Sequence, residues 1–311
     1  MQMRTLITGG AGFIGSALAN RLVTGGHEVR VIDNLSAGDP ERLHPDVLFT
    51  RGDVADIPKL WTLLQDVSCV YHLAARVSVP ESIKYPRDYN HVNVGGTVSV
   101  MEAIRDAGVQ RVVLASSGAV YGAQNEQPLR ETMTPNPDSP YAVSKLSAEI
   151  YVSTIGALWG IETVALRLFN CYGPGQQLPA AHPPVIPRFL KAALSHASLV
   201  VFGDGSQTRD FVHLDDAVDA LVAAATAPNI NRQVINVGSG VQTSLIDLIA
   251  AIEDVTHQRL EPIFNGSGAS GVQQMCADIN KAHERLGFTP HTSLRAGLRL
   301  MLEQDPRFVM A

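Results

Sequence analysis

Cysteine is scarce in this chain: Cys69, Cys171 and Cys276 are the three in 311 residues, odd in number and far apart. Such usage excludes a disulfide framework and a C-x-x-C metal or redox site, and it points to a reducing cytoplasm. Metal-ligand spacing is missing too, since the ten histidines include no H-x-x-x-H pair, and no metal is expected. No apolar stretch reaches the ~18 residues of a membrane span. The start, MQMRTLITGGAGF, runs directly into a strand-like segment and a glycine loop, without the regions of a signal peptide. Positive charge is also in short supply. With 24 Lys and Arg against 30 Asp and Glu, the net charge is −6 and no basic block exists, so neither nucleic acid nor membrane is expected as a partner.

What is present suits a soluble, folded, loop-rich protein: 45% hydrophobic and 17% charged residues, with 26 Gly and 18 Pro spread along the chain. In the first half, short apolar runs at 4–8, 28–33, 47–52, 69–73, 111–117 and 162–168 alternate with longer segments of helical period. That is the pattern of β-α-β units, predicting an α/β fold with a Rossmann-like, doubly wound parallel sheet. Helices are predicted over 12–23, ended by Gly25-Gly26, and over about 89–106, ended by Gly108. From 170 to 210 Pro and Gly dominate, which predicts loops around one helix at 187–196. A run at 233–237 is placed to return to the main sheet, followed by a helix near 244–255 and a polar tail. The predicted organisation is a nucleotide-binding domain from 1–168 plus about 210–240, with a smaller lobe from 169–209 and 241–311.

The clearest motif is Thr8-Gly9-Gly10-Ala11-Gly12-Phe13-Ile14-Gly15, joining the first strand to the first helix. Glycines 9, 12 and 15 provide a turn, a close backbone approach to a pyrophosphate, and tight packing of helix on sheet. Phosphate would sit at the helix N-terminus, although a glycine-rich β-α turn without a ligand is the plain alternative. Asp33 ends the second strand at the offset where a carboxylate meets an adenosine ribose, and it disfavours a 2′-phosphate, so NAD is expected over NADP. Asp53 is placed to meet the adenine amino group or simply to cap a helix.

Tyr141 and Lys145 stand four residues apart, on one face of a helix that Pro140 would start. With seven tyrosines and five lysines in the chain, such a pair is expected by chance about 0.1 times. A nearby ammonium and a helix N-terminus would draw the phenol toward ionisation, making Tyr141 a usable general base. Ser117 ends the strand at 111–117, where ligands of open α/β sheets bind, and is the candidate to share the substrate proton with Tyr141.

With these stretches the chain resembles the NAD-dependent epimerase/dehydratase group of the extended short-chain dehydrogenase/reductases, and within it the UDP-glucose 4-epimerase type. The resemblance rests on TGGAGFIG (8–15), HLAA (72–75), NVGGT around Asn93, SSGAVYG (116–122), SPYAVSK (139–145), RLFNCYGPGQ (167–176), FGDGSQTRDFVHLDD (202–216), NVGSG (236–240) and ADINKAHERLGF (277–288). It implies that Gly9, Gly12, Phe13, Ile14, Gly15, Asp33, Asn34, Asp53, Val54, Leu73, Ala74, Ala75 and Asn93, with Tyr141 and Lys145, hold NAD. It implies Ser117, Tyr141 and Lys145 as the catalytic group, with Asn170 and Arg209 on the diphosphate of a nucleotide sugar. Val185 and Phe202 would face the base, and Met275 the C2 substituent of the sugar.

Two departures matter. Members that dehydrate or decarboxylate sugars carry acids just after the strand-end serine, where this chain has Gly118 and Ala119. That disfavours both reactions. Relatives also hold an Arg and an Asp where this chain has Gly268 and Gly271, so Arg188 is a candidate to supply the charge. The implied reaction is epimerisation at C4 through a transient 4-keto sugar. The alternatives are a net dehydrogenase, an epimerase acting at another carbon or on UDP-N-acetylglucosamine, UDP-glucuronate or a GDP-sugar, and a non-catalytic NAD-binding protein. A homodimer is implied as well, through apolar faces of 89–106 and of the helix after Tyr141.

Overall fold

A computed structural model describes residues 2–266 and 271–308. Among them the strands are β1 (Arg4–Thr8), β2 (Glu28–Asp33), β3 (Leu48–Arg51), β4 (Cys69–His72), β5 (Arg111–Ser117), β6 (Glu162–Leu168), β7 (Asn170–Tyr172), β8 (Leu199–Phe202), β9 (Thr208–His213), β10 (Gln233–Val237), β11 (Gln242–Ser244) and β12 (Pro262–Asn265). The helices are α1 (Phe13–Thr24), α2 (Ile57–Leu63), α3 (Val79–Lys84), α4 (Pro86–Tyr89), α5 (Gly96–Ile104), α6 (Pro140–Trp159), α7 (Val185–Leu194), α8 (Leu214–Ala224), α9 (Leu245–Thr256), α10 (Asn280–Leu286) and α11 (Leu294–Gln304).

The main sheet has seven parallel strands in the order β10-β6-β5-β4-β1-β2-β3. Its strands are apolar at consecutive positions because both faces are covered. Alternate residues go to opposite sides. Ile7, Val31, Tyr71 and Val113 pack with Leu18 and Leu22 of α1 and Leu221 of α8, whereas Leu6, Ile32, Val70 and Val112 pack with Leu60, Met101 of α5 and Val152 of α6. After β3 the chain crosses back to lay β4 on the other side of β1. This reversal opens a crevice beyond the carboxyl ends of the central strands.

The second lobe has its own core, in which Phe189 and Leu190 of α7 meet Leu248 and Ile252 of α9 and Leu298 and Met301 of α11. Its strands form a three-stranded sheet, β11-β9-β7, and a pair, β12-β8.

The structure corrects the sequence reading in four places. The helix predicted at about 89–106 starts earlier, at Pro86, and runs without a break from α4 through a widened π-turn at Asn90–Gly95 into α5. The widened turn carries Asn93, whose side chain bonds the main chain of Arg76. The segment predicted as loops around one helix also contains β7, β8 and the start of β9. The predicted polar tail holds β12, α10 and α11, and it buries Leu298, Met301 and Phe308. These apolar residues are few and interleaved with arginines, which masks their helical spacing. Finally, Ala282 and Phe288, in and just after α10, pack into the core of the main sheet, so 241–311 is not wholly part of the second lobe.

Candidate active site

At the carboxyl edge of the sheet lies a cleft of about 460 Å³. Its floor is the turn from β1 into α1, where Gly9 adopts φ +68° and a Cβ would stand 2.7 Å from the Ala74 backbone. A Cβ on Gly15 would run into the Gly9 carbonyl. The close approach thus tolerates no side chain. Gly12 begins α1 with no side-chain cap and no acid in the first turn, leaving a helix N-terminus open to an anion.

Asp33 anchors the rim. One carboxylate oxygen accepts from Ala11 N at 3.1 Å and the other from Leu35 N at 2.8 Å. Across from it, Asp53 accepts from Asn34 Nδ2 at 3.1 Å and from Ala55 N at 2.9 Å, while the cap of α2 is Asp56. This glycine cradle with a carboxylate rim fits NAD. Among the residues expected to hold it, Gly9, Gly12, Phe13, Ile14, Gly15, Asp33, Asn34, Asp53, Val54, Leu73, Ala74, Ala75, Tyr141 and Lys145 all line the cleft. Asn93 does not. It is buried behind the wall, where its amide pairs with Arg76 N and O and donates to Ser144 Oγ at 2.9 Å, so it braces the wall.

α6 begins at the other end of the cleft. Ser139 caps it by accepting from Ala142 N, Pro140 takes the first position, and Gly160 ends it in a left-handed conformation. Tyr141 and Lys145 therefore share the first two turns of one face. The ring of Tyr141 packs edge-on against Tyr89, centroids 6.4 Å apart. Burial pushes the Tyr141 phenol above its ordinary range, and a hydrogen bond with Ser117 pulls it back.

The Lys145 ammonium donates through Nζ to the Ala115 carbonyl at 2.9 Å, and Ser117 is a further group, not foreseen in this role, that eases ionisation of Tyr141. Burial lowers Lys145 to about 8, against the charge of Glu149. Beneath the cleft His72 bridges Thr8 at 2.7 Å and Thr97 at 2.9 Å. Burial, aided by Lys145, lowers it to about 3, so it stays neutral.

Ser117 sits where β5 breaks into a short turn and accepts from Ala119 N. A Cβ on the following Gly118 would stand 3.2 Å from the ring of Phe169, so Phe169 crowds the place where an extra acid would stand.

The expected substrate residues divide. Ser117 and Asn170 line the cleft; Val185, Arg188, Phe202, Arg209 and Met275 are outside its wall. Met275 packs with Phe169, which does line it. Arg209 is half-buried on β9 and donates to the Thr208 carbonyl; burial lowers its guanidinium from the ordinary range, and the charge of Asp138 opposes that. Arg188 lies across the Phe189 ring with its Nε buried and unpartnered. Val185 begins α7 against the second core, and Phe202 ends β8 half-exposed. Gly271 is exposed with open space around its Cα, and Gly268 lies outside the described residues.

Sequence reasoning missed Arg76, Val77, Phe169, Gln176 and Gln177 as cleft residues. Three of them, Phe169, Gln176 and Gln177, stand in or next to the stretch RLFNCYGPGQ, whose loop returns over the cleft.

Comparison with known proteins agrees with this geometry. Residues 5–238 match the model of the NAD-dependent epimerase/dehydratase family. A protein of Mycolicibacterium smegmatis named UDP-glucose 4-epimerase is 39% identical over 308 residues, covering 97% of this chain and 98% of its own. The solved structure of a Thermotoga maritima UDP-glucose 4-epimerase with UDP-glucose superposes with a TM-score of 0.92 at 34% identity, covering 97% of this chain and 98% of that one. A Bacillus cereus UDP-glucuronic acid 4-epimerase with UDP-glucuronic acid and NAD superposes with a TM-score of 0.90 at 34% identity, with 97% and 98% covered. The chain belongs to the NAD-dependent epimerase/dehydratase family, as an epimerase-type enzyme whose cofactor is NAD.

Proposed function

We propose that the nucleotide sugar on which this NAD-dependent 4-epimerase acts is UDP-glucose, interconverted with UDP-galactose. The observation that carries the reading is the meeting of Ser117, Tyr141 and Lys145 at one end of the NAD cleft, with no acid at Gly118 or Ala119. One base and one shared hydroxyl suffice for a reversible change at a single carbinol carbon, whereas loss of water or carbon dioxide needs a further acid or base. The M. smegmatis relative named UDP-glucose 4-epimerase lends support.

NAD, when bound on the glycine turn, supplies a reversible two-electron oxidation at C4. The chain's residues do the rest. Tyr141 takes the proton of the C4 hydroxyl, and Ser117 shares it and keeps the phenol aligned. The same pair returns the proton after the keto sugar has presented its other face. Lys145 supplies positive charge one turn below Tyr141 and a donor for the cofactor ribose. Asn170, at the cleft wall, holds the diphosphate while the sugar turns, and Arg209, on the neighbouring strand β9 beyond that wall, reaches it from the second-lobe side.

Proton NMR of the protein with NAD and UDP-glucose, UDP-galactose, their N-acetyl forms and UDP-glucuronate tests this reading. Conversion of the hexose pair is expected; conversion of another pair alone overturns the choice of sugar. Replacing Arg209 by Met removes a charge-assisted contact worth about 1.5–3 kcal/mol and is expected to raise KM roughly 10–100-fold with kcat little changed, as steady-state kinetics will show.

A homodimer is part of the same proposal. On α6, Val143, Ile150 and Tyr151 stand 49%, 59% and 45% exposed along one stripe, beside Val94 in the widened turn before α5. An apolar stripe of this kind favours a helix-to-helix contact with a second copy. Ile150→Asp is expected to convert a dimer to monomer in light scattering after size exclusion; a wild-type monomer contradicts the proposal.

A further inference from the structure

α6 carries Tyr141, Lys145 and Glu149 at successive four-residue steps, so one helix face presents all three. The last three residues of β5 meet that face. Ala115 accepts from Lys145 Nζ at 2.9 Å, the Ser116 hydroxyl donates to Glu149 Oε1, and Ser117 stands in the cleft wall with Tyr141.

Of these α6 residues Glu149 alone has no step in the reaction, and it is fully enclosed. A carboxylate at that depth requires a partner. Arg167 on β6, in register with Ser116, donates through Nε to Oε1 at 2.9 Å and through Nη2 to Oε2 at 2.8 Å. Arg167 is held in turn over the Tyr121 ring at 4.6 Å, and Tyr121 donates to Asn236 Oδ1 at 2.8 Å.

We propose that Glu149 is a positioning residue for the catalytic pair. It locks α6 onto the ends of β5 and β6, so that the helix turn carrying Tyr141 and Lys145 stays seated against Ala115–Ser117, and it places a negative charge one turn below Lys145. The groups facing Lys145 are Tyr141 and Glu149 on its own helix, neutral His72 from β4, and Arg167 from β6 behind Glu149. Burial alone favours the neutral amine, and Glu149 opposes it. Without the carboxylate, burial acts unopposed and the Arg167 charge is uncovered.

The role of Lys145 rests on the 4-epimerase reading, so the test uses the protein without cofactor or sugar. Five lysines make lysine-labelled carbon NMR tractable, with Lys145→Arg identifying the signal. In Glu149→Gln the Lys145 titration is expected to fall by one pH unit or more from about 8, and in Glu149→Asp it is expected to stay near the wild-type value. The double variant Glu149→Gln/Arg167→Met removes both buried charges and is expected to fold even where the single variant does not, again with Lys145 shifted down. In the active enzyme the basic limb of the kcat profile should move by the same amount, with KM little altered. A folded Gln variant, single or double, with Lys145 unmoved overturns the proposal and leaves Glu149 a packing element. Shifted titrations in a protein inactive on every nucleotide sugar would fault the reading of the reaction alone.

Discussion

Tyr141→Phe lowers kcat by about 10²–10⁴-fold, the span typical of losing a positioned general base, while the protein still folds and binds NAD. The reason lies in what the substitution removes. The ring of Tyr141 packs against Tyr89, and phenylalanine keeps that contact; the hydroxyl, paired with Ser117, is all that disappears. A drop in kcat with an unchanged melting transition and unchanged NAD affinity separates lost proton transfer from lost structure. Turnover close to wild type would remove Tyr141 from the mechanism.

Arg167→Met has its main effect on stability. It leaves the buried Glu149 carboxylate with the Ser116 hydroxyl as its remaining hydrogen-bond partner. Breaking a buried pair from one side typically loses about 3–5 kcal/mol, a large part of a domain's whole stability. Denaturant unfolding of the variant is expected to show a loss of that order. Adding Glu149→Gln should recover much of it, because the stranded charge is then gone. If Arg167→Met alone unfolds at the wild-type midpoint, the pair does not hold α6 to the sheet.

The alternation of β1 to β6 with helices is legible in the sequence because parallel strands covered on both faces are apolar at consecutive positions, as in Leu6-Ile7 and Val112-Val113. The glycine turn, Asp33 and the Tyr141–Lys145 pair are legible because each is local: a turn of fixed spacing, a strand end, two residues one helical turn apart. What escaped depends on contacts distant in sequence. Nothing near Asn93 tells that its amide serves the backbone of Arg76, or that the helix around it widens. Lys145 carries no local sign that Ala115 takes its proton donor. Glu149 continues the four-residue spacing of the catalytic pair, but its partner Arg167 comes from a different strand. The substrate side was the least legible. Arg188 on α7, Phe202 and Arg209 on the short strands β8 and β9, and Met275 in a loop come from segments distant in sequence, and the structure brings Asn170 and Ser117, but not these, to the cleft wall.

The central claim, a transient oxidation at C4 that the protein itself reverses, is tested most directly with UDP-galactose carrying deuterium at C4. UDP-glucose with the deuterium still on C4 is expected, with no accumulation of absorbance at 340 nm from released NADH. Product with solvent hydrogen at C4, or steady release of NADH, would contradict it.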